Sequence, residues 1–183
     1  MNDVVDLILQ DHEELKRLFD VLQKEPDKRE GLAPVMSTLL FAHSRAEESE
    51  VYPAATEAGV DKDVEHSQKE HLECDQLAAD LAATPVDAPD FEDKLAKLVE
   101  AVTHHIGEEE TTVLPGMRNL LPTERLDELG KAFLGSREEH LGEMPEDITK
   151  DELEQQAANA NISGASAKSK EELAEDLKAA AEH

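Results

Sequence analysis

Two stretches of this chain spell one pattern in residue types that can bind a metal. "HSRAEESEVYP" starts at His43 and "HIGEEETTVLP" starts at His105, 62 residues later. Both read His-x-x-x-Glu-Glu-x-x-Val, then Tyr or Leu, then Pro. Side chains four apart on a helix lie on one face, one turn apart. His43 and Glu47 therefore point the same way, as do His105 and Glu109. Imidazole nitrogens and carboxylate oxygens aimed together suit iron, manganese or zinc. The pattern contains no thiolate, which disfavours an iron–sulfur cluster or a structural zinc site. A carboxylate has two oxygens and can bridge two cations, so two such residues with several imidazoles could hold a dinuclear centre.

The repetition extends to the segments before each motif. "DHEELKRLFDVL" from Asp11 and "EHLECDQLAADL" from Glu70 both begin acid-His and place Leu at matching positions. His12 precedes His43 by 31 residues and His71 precedes His105 by 34. The chain thus reads as two related helical hairpins, each with a His on its first helix and His-x-x-x-Glu on its second. Neighbouring groups have plainer readings. His104 faces about 100° away from His105 on a helix and belongs to the surface or just behind the ligands. Glu48, Glu108 and Glu110 read as solvated, with one of them available to hydrogen-bond a ligand imidazole. Tyr52 packs near Pro53 or approaches the site, His140 sits at a helix end, and Cys74 is a buried, inert thiol.

The elements that must carry these residues are long and amphipathic. Apolar residues at helical spacing predict helices over about 3–24, 32–57, 64–83 and 91–118, with Pro34 in the first turn of the second. Short polar breaks such as "KEPDKREG" and "TPVDAPD" predict antiparallel neighbours. The expected fold is all-α: an up-down four-helix bundle over 1–140, with a short fifth helix from "LPTERLDELGKAF". The 183 residues, rich in Ala and Leu with 8 Gly and 8 Pro, suit helices over sheet. Eighteen basic and 44 acidic residues give a net charge of −26, which opposes binding to nucleic acid or anionic lipid. No apolar run is long enough to span a bilayer, and the start lacks the marks of a signal peptide. A lone cysteine excludes an internal disulfide framework and fits a reducing, cytoplasmic setting.

Residues 141–183 form an acidic tail, with 11 acids and 4 Lys. "TKDELEQQAANA" and "SKEELAEDLKAAA" predict two short helices, each opening with a capping-box spelling. Few bulky apolar residues are present to build core, so the tail reads as flexible or as a docking element for a protein partner. Around "NISGASAKSKEEL" it resembles the small helical motif at the start of terminator Rho and of SAP-like modules. Those often contact nucleic acid, a role this acidic copy does not suit.

Over roughly 3–140 the chain resembles the hemerythrin-like, or HHE, cation-binding family. The resemblance rests on "DHEELKRLF", "HSRAEESEVYP", "EHSQKEHLE" and "HHIGEEETTVLP". It implies a non-haem centre of two iron ions, oxo- or hydroxo-bridged, with affinity for O2, H2O2 or NO. The implied ligands are His12, His43, Glu47, His66, His71, His105 and Glu109, with His12 and His43 on one iron, His66, His71 and His105 on the other, and both Glu bridging. Two departures stand out. Classical hemerythrins space the pair equivalent to His66 and His71 by four, whereas here it is five, which turns the two about 140° apart on a regular helix; a π-bulge between them would bring both to the metals. The second carboxylate is Glu four residues after His105, where classical members have Asp at five, a spelling that resembles the bacterial HHE branch. Three functions remain open: a carrier or sensor of O2 or NO, an enzyme consuming peroxide in oxidative or nitrosative defence, and a metal-dependent regulatory module that uses the tail.

Overall fold

The computed structural model describes residues 3–143 and 147–181, and every regular element among them is helical. The elements are α1 (Val4–Lys24), α2 (Arg29–Ala46), α3 (Tyr52–Ala58), α4 (Asp61–Ala82), α5 (Phe91–Thr111), α6 (Val113–Leu120), α7 (Thr123–His140), α8 (Lys150–Asn159) and α9 (Lys170–Ala181). Helices α1, α2, α4 and α5 pack side by side as the four-helix bundle, in the order α1–α2–α4–α5 and back to α1. Alternating direction shows in the core. One apolar cluster joins the start of α1 (Val4, Ile8) to the end of α2 and α3 (Ala46, Ala55), the start of α4 (Val64) and the end of α5 with α6 (Val113, Leu114). The opposite cluster holds Leu15, Leu22, Leu40, Phe91, Leu98 and their neighbours.

Local chemistry sets the boundaries. Asp3 caps α1 by accepting from the Asp6 amide at 2.9 Å. A tight turn over Pro26–Lys28 starts α2 at Arg29, three residues earlier than the apolar pattern predicts. Pro34 consequently lies inside α2 and not in its first turn. Arg29 is buried: its Nε donates to the Leu22 carbonyl at 2.9 Å and its guanidinium covers the Phe91 ring at 5.5 Å. Gly59 ends α3 at φ +102°, a conformation that favours glycine.

Both copies of the repeated motif end in a distorted helix, and the shared Pro explains this. A Pro inside a helix has no N–H for the carbonyl four residues back. Before Pro53 the backbone widens into a π-helical turn over Glu47–Val51, with the Tyr52 amide bonded to the Glu47 carbonyl. Before Pro115 the chain breaks at Thr112, so the single helix expected over 91–118 is two, α5 and α6. The Thr112 hydroxyl donates to the Glu108 carbonyl at 2.9 Å across that break.

The fifth helix, α7, is longer than the sequence suggested, at 18 residues. It lies along α1 and α2 and buries Phe133 completely. The tail is ordered into the two expected helices. Thr149 with Glu152 forms a reciprocal capping box on α8, and Ser169 with Glu172 does so ahead of α9. Of its four leucines Leu141 is exposed, and the other three, Leu153, Leu173 and Leu177, are buried together against Leu72 of α4. That partner surface belongs to another helix, which is why the tail's own composition understated its packing. No helix among the described residues is long and apolar enough to cross a membrane.

Leu98 is fully buried in the cluster remote from α6. Leu98→Ala should lower stability by about 2–5 kcal/mol, as is usual for Leu truncation in a close-packed core. Urea unfolding followed by circular dichroism measures it, with the midpoint shifting and the slope unchanged.

Candidate metal centre

Between the two apolar clusters the four helices insert one polar layer. His12 lies between Ile8 and Leu15 on α1, and His105 between Val102 and Val113 on α5 and α6. His12, His43, Glu47, His71, His105 and Glu109 are all buried there. The imidazoles stand in two pairs, His12 with His43 at 5.1 Å between ring centroids and His71 with His105 at 4.5 Å. Each carboxylate reaches across the pairs. Glu47 Oε2 is 3.2 Å from both His43 Nε2 and His71 Nε2. Glu109 Oε2 is 3.4 Å from His12 Nε2 and 4.0 Å from His105 Nε2. Two triads, His12–His43–Glu47 and Glu47–His71–His105, each have their donor atoms within 4.8 Å of one another, and they share Glu47.

A second layer of acids holds the imidazoles from behind. His12 Nδ1 meets Glu110 at 3.1 Å, His43 Nδ1 meets Asp11 at 3.3 Å, and His105 Nδ1 meets Glu70 at 3.1 Å. His71 Nδ1 is 3.4 Å from Glu48. Three of the four Nδ1 atoms are thus hydrogen-bonded outward, the arrangement that fixes a ligand imidazole's tautomer and rotation, while His71 Nδ1 has Glu48 nearby but makes no hydrogen bond. Each of the four acids is the chain neighbour of a central residue and serves a His on a different helix. The two halves of the repeat do this identically: Asp11 and Glu70 precede His12 and His71, while Glu48 and Glu110 follow Glu47 and Glu109. The recurring acid-His and Glu-Glu spellings were the signal for these partners. Glu48, expected in solvent, is instead buried.

Glu48 is also the most heavily bonded acid of that layer. Arg45 donates to it at 3.0 Å, Gln68 at 2.9 Å and Gln156 of α8 at 2.9 Å. Asn159 of α8 donates to its backbone carbonyl at 3.0 Å. Outside Asp11 stands Arg137 of α7 in an ion pair, and outside Glu110 stands Lys16 at 3.0 Å.

His66 does not join the layer. Its side chain is 59% exposed and meets Glu108 at 2.9 Å. Helix α4 is regular from Asp61 to Ala82, so the five-residue offset from His71 leaves His66 turned away. The π-helical turn lies on the other hairpin, after Glu47. There it acts on another pair five apart. In a π turn residue i+5 bonds residue i, so Tyr52 returns above Glu47. The Tyr52 hydroxyl comes to 3.0 Å from His71 Nε2, inside the layer rather than merely against Pro53. Leu114 occupies the matching place in the second motif.

Charge and burial contend throughout. Burial opposes charge on His43, yet Glu47 and Asp11 raise its pKa to about 10. Burial likewise opposes a Glu47 carboxylate, but His43 and His71 hold it well below the usual range. Burial would raise Glu48, and Arg45 with His71 and Gln156 brings it down to about 2. His105 is pushed down by burial and by His71 beside it. Burial, then Glu109, Glu47 and Glu48, push the Tyr52 phenol well up, so it keeps its proton.

The donor set fits metal cations. Nε2 of His12 and of His105, and all four oxygens of Glu47 and Glu109, are buried with no hydrogen-bond partner. Such atoms are costly to bury unless something else binds them. Four imidazoles and two carboxylates buried against one another match nitrogen- and oxygen-loving transition ions. Asp11→Ala would free the His43 ring and should weaken metal binding about 10- to 100-fold. Competition against a chromogenic chelator measures the loss, with helix content unchanged by circular dichroism.

Comparison with known proteins agrees with this geometry. Residues 3–116 match the hemerythrin HHE cation-binding domain. A DNA nickase of Nostoc sp. (strain PCC 7120) is 28% identical over 137 residues, 74% of this chain. The match covers 39% of the nickase, so this chain spans well under two thirds of that relative's length. No solved structure matches significantly. The matched family segment takes in α1 to α5 and all six residues of the buried layer, and this chain belongs to the hemerythrin HHE cation-binding family.

Proposed function

We propose that the buried layer holds a dinuclear non-haem iron centre that binds or reacts with O2, H2O2 or NO, in protection against oxidative or nitrosative stress. The observation that carries this reading is the placement of Glu47 and Glu109, each between one imidazole of the His12–His43 pair and one of the His71–His105 pair. Two carboxylates so placed suit two cations side by side, and the family binds metal cations. Such a centre supplies redox chemistry at a small bound molecule. His12 and His43 would hold one ion and His71 and His105 the other.

The rest of the chemistry belongs to the chain. With His66 outside, the imidazoles divide evenly, and Tyr52 makes the two halves unequal. Its phenol keeps a proton beside His71, where it can donate to a small polar molecule. The Phe133 ring stands edge-on to His43 at 5.8 Å and helps exclude water.

Iron-reconstituted protein should contain two iron ions per chain and show a coupled di-iron Mössbauer signature; a single mononuclear iron would sink the reading. Oxygen release from peroxide then marks turnover, and a long-lived oxygenated species in stopped flow marks carriage. Tyr52→Phe should retain the iron and slow the reaction with peroxide, read as the decay of the oxidised absorption band.

A metal-dependent regulatory role for the tail has one specific observation in its favour. Gln156 and Asn159 of α8 bond Glu48, which contacts His71. Metal binding should then protect α8 and α9 from proteolysis, and Gln156→Ala with Asn159→Ala should abolish that protection. Equal cleavage with and without metal would remove this reading. The nickase's activity is that of a much longer protein, and a net charge of −26 does not favour a DNA substrate here.

A further inference from the structure

Outside the buried layer, α4 and α5 assemble a second set of metal-ligating groups at the surface. His66 with Glu70 and His104 with Glu108 are again His-x-x-x-Glu pairs, each one turn apart on its helix. His66 Nε2 lies 2.9 Å from Glu108 Oε2 and 3.6 Å from Glu70 Oε1. His104 Nε2 lies 3.3 Å from the same Glu70 oxygen and 3.6 Å from Glu108 Oε1. Each imidazole therefore faces the same two carboxylates.

We propose that His66, His104, Glu70 and Glu108 form a surface site for one divalent transition-metal ion, separate from the buried centre. The distances support this. Zinc-like bonds of about 2.0–2.1 Å to nitrogen and oxygen place the ligands of a tetrahedral ion about 3.3 Å apart; His66, Glu70 and Glu108 already have donor atoms within 4.8 Å of one another, and His104 approaches the same two carboxylates at 3.3 and 3.6 Å, so that a small turn of its ring would complete the set. The ligand types, two imidazoles and two carboxylates, suit Zn2+, Co2+ or Fe2+, with affinity rising along the usual order of divalent ions. The imidazoles are 59% and 64% exposed, so an ion reaches them directly from water.

The surrounding charges point the same way. Three of the four acids behind the buried imidazoles have a fixed cation beside them: Arg137 at Asp11, Arg45 at Glu48 and Lys16 at Glu110. Glu70, the fourth, has His66 and His104 in that place. A bound ion supplies the missing positive charge. Glu70 then joins the two sites, with Oε1 toward the surface ion and Oε2 hydrogen-bonded to His105 Nδ1 at 3.1 Å.

The test is a Co2+ titration of the iron-loaded full chain beside a His66→Ala/His104→Ala variant. Both substitutions are at exposed positions, so the fold and the iron content should be unchanged. Wild type should bind one equivalent with the intense visible bands of tetrahedral Co2+, and the double variant should lose it. A Glu47→Ala/Glu109→Ala variant, which strikes only the buried layer, should keep the surface equivalent even if the iron proposal fails. Identical cobalt uptake and spectra in wild type and the His66/His104 variant would overturn the site and leave four ordinary ion pairs.

Discussion

Six ionisable side chains buried in a single layer across the bundle are the constraint around which the rest of the molecule is arranged. Two carboxylates and four imidazoles meet there, with lone pairs facing one another and several atoms lacking any hydrogen bond. Such a layer is unfavourable in an apolar core unless cations occupy it and outer groups fix each ring. Both halves of the chain meet that demand in one way. An acid adjacent in sequence to one central residue crosses to a neighbouring helix and receives the imidazole there. Because each acid and its central residue are neighbours in the chain, a shift in any one helix would disturb two helices' worth of contacts. The layer also divides the apolar core into two clusters, so both ends of the bundle must pack well to hold it.

The repeat is close to symmetric in its ligands and asymmetric in its helix ends. Proline removes one backbone donor in each motif, and the chain answers differently. It widens into a π-helical turn before Pro53 and breaks before Pro115. The wider turn carries Tyr52 over Glu47 and gives one half of the centre a buried phenol. The broken helix leaves Leu114 in the core. The two pairs of imidazoles therefore differ in having a phenol beside them.

Helices outside the bundle act on the layer through its outer acids. Arg137 of α7 reaches Asp11, and Gln156 and Asn159 of α8 reach Glu48. The widened turn places Glu48 and its carbonyl where α8 can bond both. The C-terminal segment thus completes the polar shell behind His71, although its leucines pack in a cluster of their own on α4.

The sequence by itself determined the helical class, the four bundle helices apart from their distortions before Pro53 and Pro115, and six residues that meet in one layer. Those features follow from local periodicity and from i,i+4 spacing, which a helix converts directly into a shared face. Tertiary structure alone decided the rest. A five-residue offset admits two outcomes, and only the backbone shows that α4 stays regular at His66 while the other hairpin widens at Tyr52. Glu48 reads as one more surface acid until Arg45, Gln68 and two residues more than a hundred positions away surround it. Leu153, Leu173 and Leu177 of the tail look too few for a core until Leu72 covers them. For Glu48 and for these leucines the deciding partners sit on other helices, and periodicity along one helix carries no information about what packs against it.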